Sequence, residues 1–237
     1  AASLLSEAGS AQDLQTFKMV DRLSGRSLGL RIDTTPQVAR IDAHLLNRSG
    51  VTRLCYCGPV VHTLPASPYA TREPLQCGAE IYGHTGLEAD LEIMQLAIQS
   101  VRTSGLDHFH VDLSDARVLP ALIQGHALSP EVSQAIASAM ASKNVSAMRE
   151  LGQQLPHALS QALQALVQMY GDAQVLSKAR EAFAAWPDVL HCLSQLEWLS
   201  THLNHSFSID LADLRGFSYY SGPRFSVFVP GSSDALV

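Results

Sequence analysis

The sequence predicts an α+β fold, an antiparallel sheet whose last part lies beyond a helical insertion. Three observations predict it. Short apolar-alternating runs fill residues 1–125, around one strong helical stretch. Residues 126–205 are rich in Ala, Gln, Ser and Leu and show helical spacing. Strand alternation then returns over 206–237. The expected domains are therefore the first part of a sheet domain (1–125), a helical insertion (126–205) and the C-terminal part of the sheet domain (206–237).

The elements follow in order. Leu28, Leu30 and Ile32 alternate with Gly29, Arg31 and Asp33, and Thr35 continues the polar side. This predicts a strand that Pro36 stops. A helix through Val38, Ile41 and Leu45 follows. Over Leu75–Tyr82, Leu75, Cys77, Ala79 and Ile81 share one face, which belongs on a core. Gln76, Gly78, Glu80 and Tyr82 share the other. Leu87, Leu91, Met94, Ile98 and Val101 recur at helical spacing after Gly86, with Glu88, Asp90 and Glu92 where the helix dipole favours anions, and Gly105 ends the helix. Ser129-Pro130-Glu131 is a helix start: a cap, a proline at the first position and an acid. Leu159, Leu163, Leu166 and Val167 form the next stripe, stopped by Gly171. Val175, Leu176, Ala179 and Phe183 form another, broken at Trp186-Pro187. Val189, Leu193, Leu196 and Leu199 or Leu203 begin the last. Phe207, Ile209 and Leu211, then Phe225, Val227 and Val229, mark the returning strands.

Composition excludes several classes. The chain of 237 residues is 46% hydrophobic and 16% charged, which rules out intrinsic disorder. No run of about 18 apolar residues occurs, so no membrane helix and no membrane partner are expected. Ala1 to Ser10 lack a basic start and an apolar stretch, so no signal peptide is visible. Lys+Arg number 16 against 22 for Asp+Glu, a net charge of -6, which argues against binding nucleic acid by neutralising phosphates. Four cysteines, Cys55, Cys57, Cys77 and Cys192, are too few for a disulfide scaffold at this length. Buried, reduced thiols in a reducing cytosol are expected.

Strand parity gathers a polar set. Asp33 and Glu80 are carboxylates; Thr35 and Gln76 are neutral and polar; Arg215 is a cation beside the flexible Gly216; Tyr219 and Tyr220 are phenols. A ligand could lie over Gly78 and reach both Gln76 and Glu80. Carboxylate and hydroxyl groups receive an ammonium, and arginine holds a carboxylate as a charge-assisted fork. The inventory suits a zwitterionic amino acid, and a second carboxylate can accept a ring N–H. An ordinary antiparallel sheet with one solvated polar face carries the same alternation. His108, His110 and Asp112 share a strand face, but Phe109, Val111 and Leu113 explain that strand as half-buried with a polar face. Cys55-x-Cys57 lacks the second pair that zinc needs. No phosphate loop, Gly-x-Ser-x-Gly or His-Glu-x-x-His occurs. No metal and no cofactor are expected.

Leu30–Arg40, Arg53–Pro59, Gln76–Gly83 and Leu214–Tyr220 occur in the order seen in histidyl-tRNA synthetases, which the chain resembles over nearly its whole length. Asp13–Lys18, Thr35–Asp42 and Tyr219–Gly222 resemble the paralogue of those synthetases that serves as regulatory subunit of ATP phosphoribosyltransferase. The resemblance implies a class II aminoacyl-tRNA synthetase-like fold: an antiparallel sheet flanked by helices, with a helical insertion. It implies that Asp33, Thr35 and Gln76 hold a histidine α-amino group. Glu80 and Tyr220 then face the imidazole, and Arg215 reaches the carboxyl end.

Departures from the synthetase separate enzyme from regulator. Where that family has an arginine on the ATP α-phosphate and then a Glu-Arg pair, this chain reads Val61-His62-Thr63-Leu64-Pro65. A neutral histidine does not replace a permanently charged planar fork on phosphate. Relative to the family, the chain is expected to be trimmed at both ends, without the first and third motifs. The resemblance thus implies a non-catalytic regulatory subunit. Its expected partners are the short-form catalytic ATP phosphoribosyltransferase subunit, L-histidine and a second copy of itself, without tRNA. The alternatives are a divergent histidyl-tRNA synthetase catalytic domain and a stand-alone histidine-binding module.

Overall fold

The computed structural model describes residues 14–65, 70–214, 220–232 and 235–237. The chain divides into two compact units, 1–89 and 90–237. Among the described residues the strands form three sheets, two of two strands and one of four.

The first unit is built from hairpins. Strand β1 (Lys18–Val20) pairs antiparallel with β2 (Ser27–Gly29). The predicted strand over Leu28–Thr35 therefore stops at Gly29. Its partner explains this: Leu30 N still donates to Phe17 O, at 2.9 Å, but β1 supplies only three residues of ladder. The chain then turns to another neighbour, and Val61 N donates to Arg31 O at 2.8 Å.

Helix α1 (Thr35–Arg40) has Pro36 in its first turn and buries Val38. It runs into a π-helical segment, Ile41–Leu46, closed by Asn47 in the left-handed region at φ 42°. Asn47 N donates to Asp42 O at 2.9 Å, five residues back. The wider turn breaks the expected stripe. Leu45 is 77% exposed and Ile41 is also exposed, so Val38 alone of the three is buried.

Strands β3 (Thr52–Pro59) and β4 (Leu75–Tyr82) pair antiparallel, with Leu54 opposite Glu80, Tyr56 opposite Gly78, Cys57 opposite Cys77 and Gly58 opposite Gln76. The face predicted to lie on a core behaves otherwise. Leu75 is 68% exposed and Cys77 is exposed, whereas Gln76, Gly78, Glu80 and Tyr82 are half-buried. Cys55 and Cys57 share the open face and are exposed, so only Cys192 is the buried thiol expected. The reason is local. The side chains gathered over the polar face bond to one another, whereas on the other face Leu75 and Cys77 are open among the described residues and Ala79 and Ile81 are half-buried.

The second unit carries the main core. Helix α2 (Leu87–Thr103), which crosses the division at residue 89, buries Met94, Ile98 and Val101; Gly105 follows at φ +88°. Strand β5 (His110–Asp115) is central to the four-stranded sheet, in the order β6-β7-β5-β8. It pairs antiparallel with β8 (Pro223–Phe228) but parallel with β7 (Phe207–Asp210). The sheet is thus mixed rather than purely antiparallel. The connection dictates this, because parallel neighbours need a long crossover and the helical run supplies it.

That run comprises α3 (Val118–Ile123), α4 (Pro130–Ala141), α5 (Val145–Gly152), α6 (His157–Leu166), α7 (Gln174–Ala182) and α8 (Pro187–His202). The starts read from sequence are the ones used. Ser129 caps α4 by accepting from Val132 N at 3.3 Å, and Pro187 opens α8. Gly171, expected as a plain stop, instead forms with Tyr170 a short strand β6 antiparallel to β7. Leu159, Leu163, Leu166, Phe183, Leu193, Leu196 and Leu199 have no exposed surface, nor do Val111, Leu113, Ile209 and Val227 of the sheet. Each such side chain contributes about 1.5–3 kcal/mol by leaving water.

Candidate functional site

The first unit brings together Asp33, Thr35, Gln76 and Glu80. Gln76 and Glu80 lie on the half-buried face of β4. Asp33 and Thr35 lie where the chain enters α1. Gln76 joins the two segments with both ends of its amide. Its Nε2 donates to Asp33 Oδ1 at 2.9 Å, and its Oε1 accepts from Thr34 N at 2.9 Å. Asp33 Oδ1 also accepts from Thr35 N, at 3.1 Å. Those donors hold the carboxylate in place beside the first turn of the helix.

Tyr56 was not among the predicted site residues, and it sits in the middle of them. Its hydroxyl lies 3.2 Å from Thr35 Oγ1. Burial pushes its phenol above the ordinary value of 10.0; the Thr35 hydrogen bond opposes the rise, and the charges of Asp33 and Glu80 add to it. Tyr56 is therefore a neutral hydroxyl flanked by two carboxylates. Alternation along β3 puts Tyr56 on the half-buried face, opposite Cys55 and Cys57. Only the register of β3 on β4 sets it across from Gly78. The gap expected over Gly78 is consequently filled by the Tyr56 ring.

Glu80 is held from one side. Tyr82 Oη donates to Glu80 Oε2. Glu80 Oε1 is buried and has no partner among the described residues, as do Thr34 Oγ1 and Gln37 Oε1 in the same unit. An unpaired buried carboxylate oxygen is costly, and it calls for an N–H or O–H donor.

His62 bonds to the residue that precedes Asp33. Its Nε2 is 2.9 Å from Ile32 O, and its backbone N donates to Arg72 O at 2.8 Å. A carbonyl only accepts, so Nε2 carries the ring proton. The imidazole thus ties the loop after β3 to the segment that carries Asp33.

Arg215 and Tyr219 lie outside the described residues. Tyr220 belongs to the second unit, where the Arg224 guanidinium stands 5.0 Å from its ring centroid. Arg224 in turn pairs with Asp213 at 3.2 Å, both nearly buried. On β5, His110 Nε2 lies 2.9 Å from Asp112 Oδ1 and 2.6 Å from Ser208 Oγ, and Ser208 donates to Asp112. His108 does not join that cluster into a metal site: among the described residues, no three His, Cys, Asp or Glu side chains are placed to hold an ion. No helix among them is long and apolar enough to cross a membrane.

Known proteins share this chain's sequence and fold. The ATP phosphoribosyltransferase regulatory subunit of Albidiferax ferrireducens is 55% identical over 236 residues, which are 99% of this chain and 62% of that protein. The chain thus spans about three fifths of the length of the curated relatives it matches. A structure from Bacillus halodurans, described as an ATP phosphoribosyltransferase regulatory subunit/histidyl-tRNA synthetase, superposes with a TM-score of 0.81 at 25% identity, covering 94% of this chain and 60% of that one. A chain of an ATP phosphoribosyl transferase complex from Thermotoga maritima shares the fold at a TM-score of 0.67 and 16% identity, over 92% of this chain and 77% of that one. The α+β, class II synthetase-like architecture expected from sequence is the one found. The family model for histidyl-tRNA synthetase matches residues 1–237, and the chain belongs to that family.

Proposed function

We propose that the full protein is a non-catalytic regulatory subunit of ATP phosphoribosyltransferase, the enzyme of the first step of histidine biosynthesis, and that its site receives free L-histidine as a feedback signal. Relatives above half identity carry the regulatory-subunit name, which supports the first part. One observation carries the second. Among the described residues Glu80 Oε1 is buried without a donor, on the same strand face as Gln76, which holds Asp33. An imidazole N–H satisfies Glu80, and an α-ammonium satisfies Asp33 and Thr35. In this reading Arg215 receives the ligand's carboxylate, and Tyr219 and Tyr220 are further ligand-binding residues. The helical stretch 126–205 is then an insertion within a sheet domain.

The partner in this reading is the short-form catalytic subunit, in a cytoplasmic hetero-oligomer that also contains a second copy of this chain and no tRNA. His62 supports a non-catalytic role. Its imidazole is engaged with Ile32 O, and a ring held by a backbone carbonyl is a poor substitute for a planar guanidinium fork on phosphate. Regulation is a matter of linkage. Histidine shifts activity only by binding two states of the complex with different affinity.

The test is calorimetry of the full-length protein with L-histidine, alone and with the catalytic subunit. Glu80→Ala should weaken histidine by about tenfold or more, as expected for losing a hydrogen bond to a charged group. Arg215→Ala should do likewise. Histidine inhibition of the complex that is unchanged in both variants would rule out this site as the sensor. Histidine-dependent ATP–pyrophosphate exchange would make the protein a synthetase instead.

A further inference from the structure

Tyr56 fills the centre of the candidate site, and its position is fixed from two sides. A β-carbon on Gly78 would stand 2.3 Å from Tyr56 Cζ, 2.4 Å from Oη and 2.8 Å from Cε2. The ring therefore lies directly across the glycine, in space that any other residue at position 78 would claim. The hydroxyl is tied to Thr35 Oγ1 at 3.2 Å, which holds the ring toward the Asp33 end. Gln76 and Glu80 flank Gly78 on the same strand face. The phenol thus stands between the Asp33–Gln76 pair and the buried oxygen of Glu80.

We propose that Tyr56 is the size-determining residue of this site: its ring restricts the space between the Asp33 end and the Glu80 end to an amino acid whose side chain is a single small N–H-bearing ring. The proposal rests on the reading of the site as an amino-acid pocket. Asp33 and Glu80 account for recognition of N–H groups. Neither restricts length or width, and a rigid ring packed on a bare backbone does.

The experiment measures L-histidine and L-tryptophan binding to the full-length protein by titration calorimetry. Both ligands carry an α-ammonium, a carboxylate and one ring N–H, and they differ in ring size. The unaltered protein should prefer histidine by about a hundredfold or more. In Tyr56→Ala that preference should fall by about tenfold or more, with tryptophan binding gained in absolute terms. Tyr56→Phe keeps the ring and should keep the preference. Tyr56→Val, a residue suited to strands, is the second variant, and thermal melts establish which variants fold.

An unchanged preference in folded Tyr56→Ala or Tyr56→Val overturns the proposal while leaving the pocket reading intact. Loss of preference in Tyr56→Phe also overturns it, by assigning selectivity to the hydroxyl. If neither small variant folds, Tyr56 is a structural residue and the proposal fails. If the unaltered protein binds no histidine, the pocket reading fails and takes this one with it.

Discussion

Gln76 Nε2 donates to Asp33 Oδ1 at 2.9 Å, joining two residues 43 positions apart in the chain. The other end of the same amide accepts from Thr34 N. Gln76 therefore needs both a donor and an acceptor at its tip. Gln76→Ala should lower stability by about 1–2 kcal/mol. Gln76→Glu should lower it further, because a carboxylate can accept from Thr34 N but cannot donate to Asp33. Urea denaturation of the two variants checks the order. Gln76→Glu proving the milder change would mean that the amide is not oriented this way.

Gly78 and Tyr56 should be thermodynamically coupled. Gly78→Ala adds a methyl where the phenol lies, and should destabilise by about 1–3 kcal/mol through overpacking. In a Tyr56→Ala background the same change should have an effect below about 0.5 kcal/mol. A double-mutant cycle measures the difference. Additive effects would place the ring elsewhere.

Asp115 is 1% exposed, and Arg117 donates to both of its carboxylate oxygens through Nε and Nη2, with Nη2 also donating to Gln195 Oε1. The Asp115 hydrogen bond pushes the Arg117 guanidinium above its ordinary value, so the cation is retained at every working pH. Arg117→Ala leaves a buried carboxylate unpaired and should lose about 3 kcal/mol. Asp115→Asn combined with Arg117→Met should lose less than Arg117→Ala alone. Chemical denaturation compares the two.

Burial, with Asp115 adding to it, pushes the Cys192 thiol up from 9.0 to about 11. The folded state therefore keeps a proton that the unfolded state releases first. Stability is unaffected below pH 9 and falls as pH rises from 9 toward 11. Cys192→Ala should flatten that part of the melting-temperature profile. The same thiol should resist iodoacetamide at pH 8, whereas the exposed Cys55 of the 237-residue chain is labelled. In Cys77, a hydrogen bond to Cys57 at 2.9 Å raises the thiol, which should slow its labelling.

Local chemistry was legible in the residues themselves. Ser129-Pro130 starts α4, Pro187 starts α8, and the leucine stripes of α6 and α8 are buried where their spacing puts them. Helical spacing is set by neighbours three and four residues apart, so a short stretch contains its own evidence. Gln76 and Glu80 were also legible as polar positions, because side chains alternate along a strand whatever it pairs with, whereas Asp33 and Thr35, read from the same alternation, lie beyond the strand end at Gly29, where the chain enters α1.

Pairing between distant segments was not legible. Alternation reads the same for any partner. The register that lays Tyr56 across Gly78, the exposure of Leu75 and Cys77, and the parallel pairing of β5 with β7 all follow from contacts between residues far apart in sequence. The π-helical turn at Ile41–Leu46 is a smaller case: a single widened turn carried Leu45 off its stripe, and only the folded chain selects that turn. The sequence by itself determined which residues are polar, which elements form and which family the chain resembles. The tertiary structure alone decided that Tyr56 stands between two carboxylates, because a strand's face is a local property and its neighbour across the ladder is not.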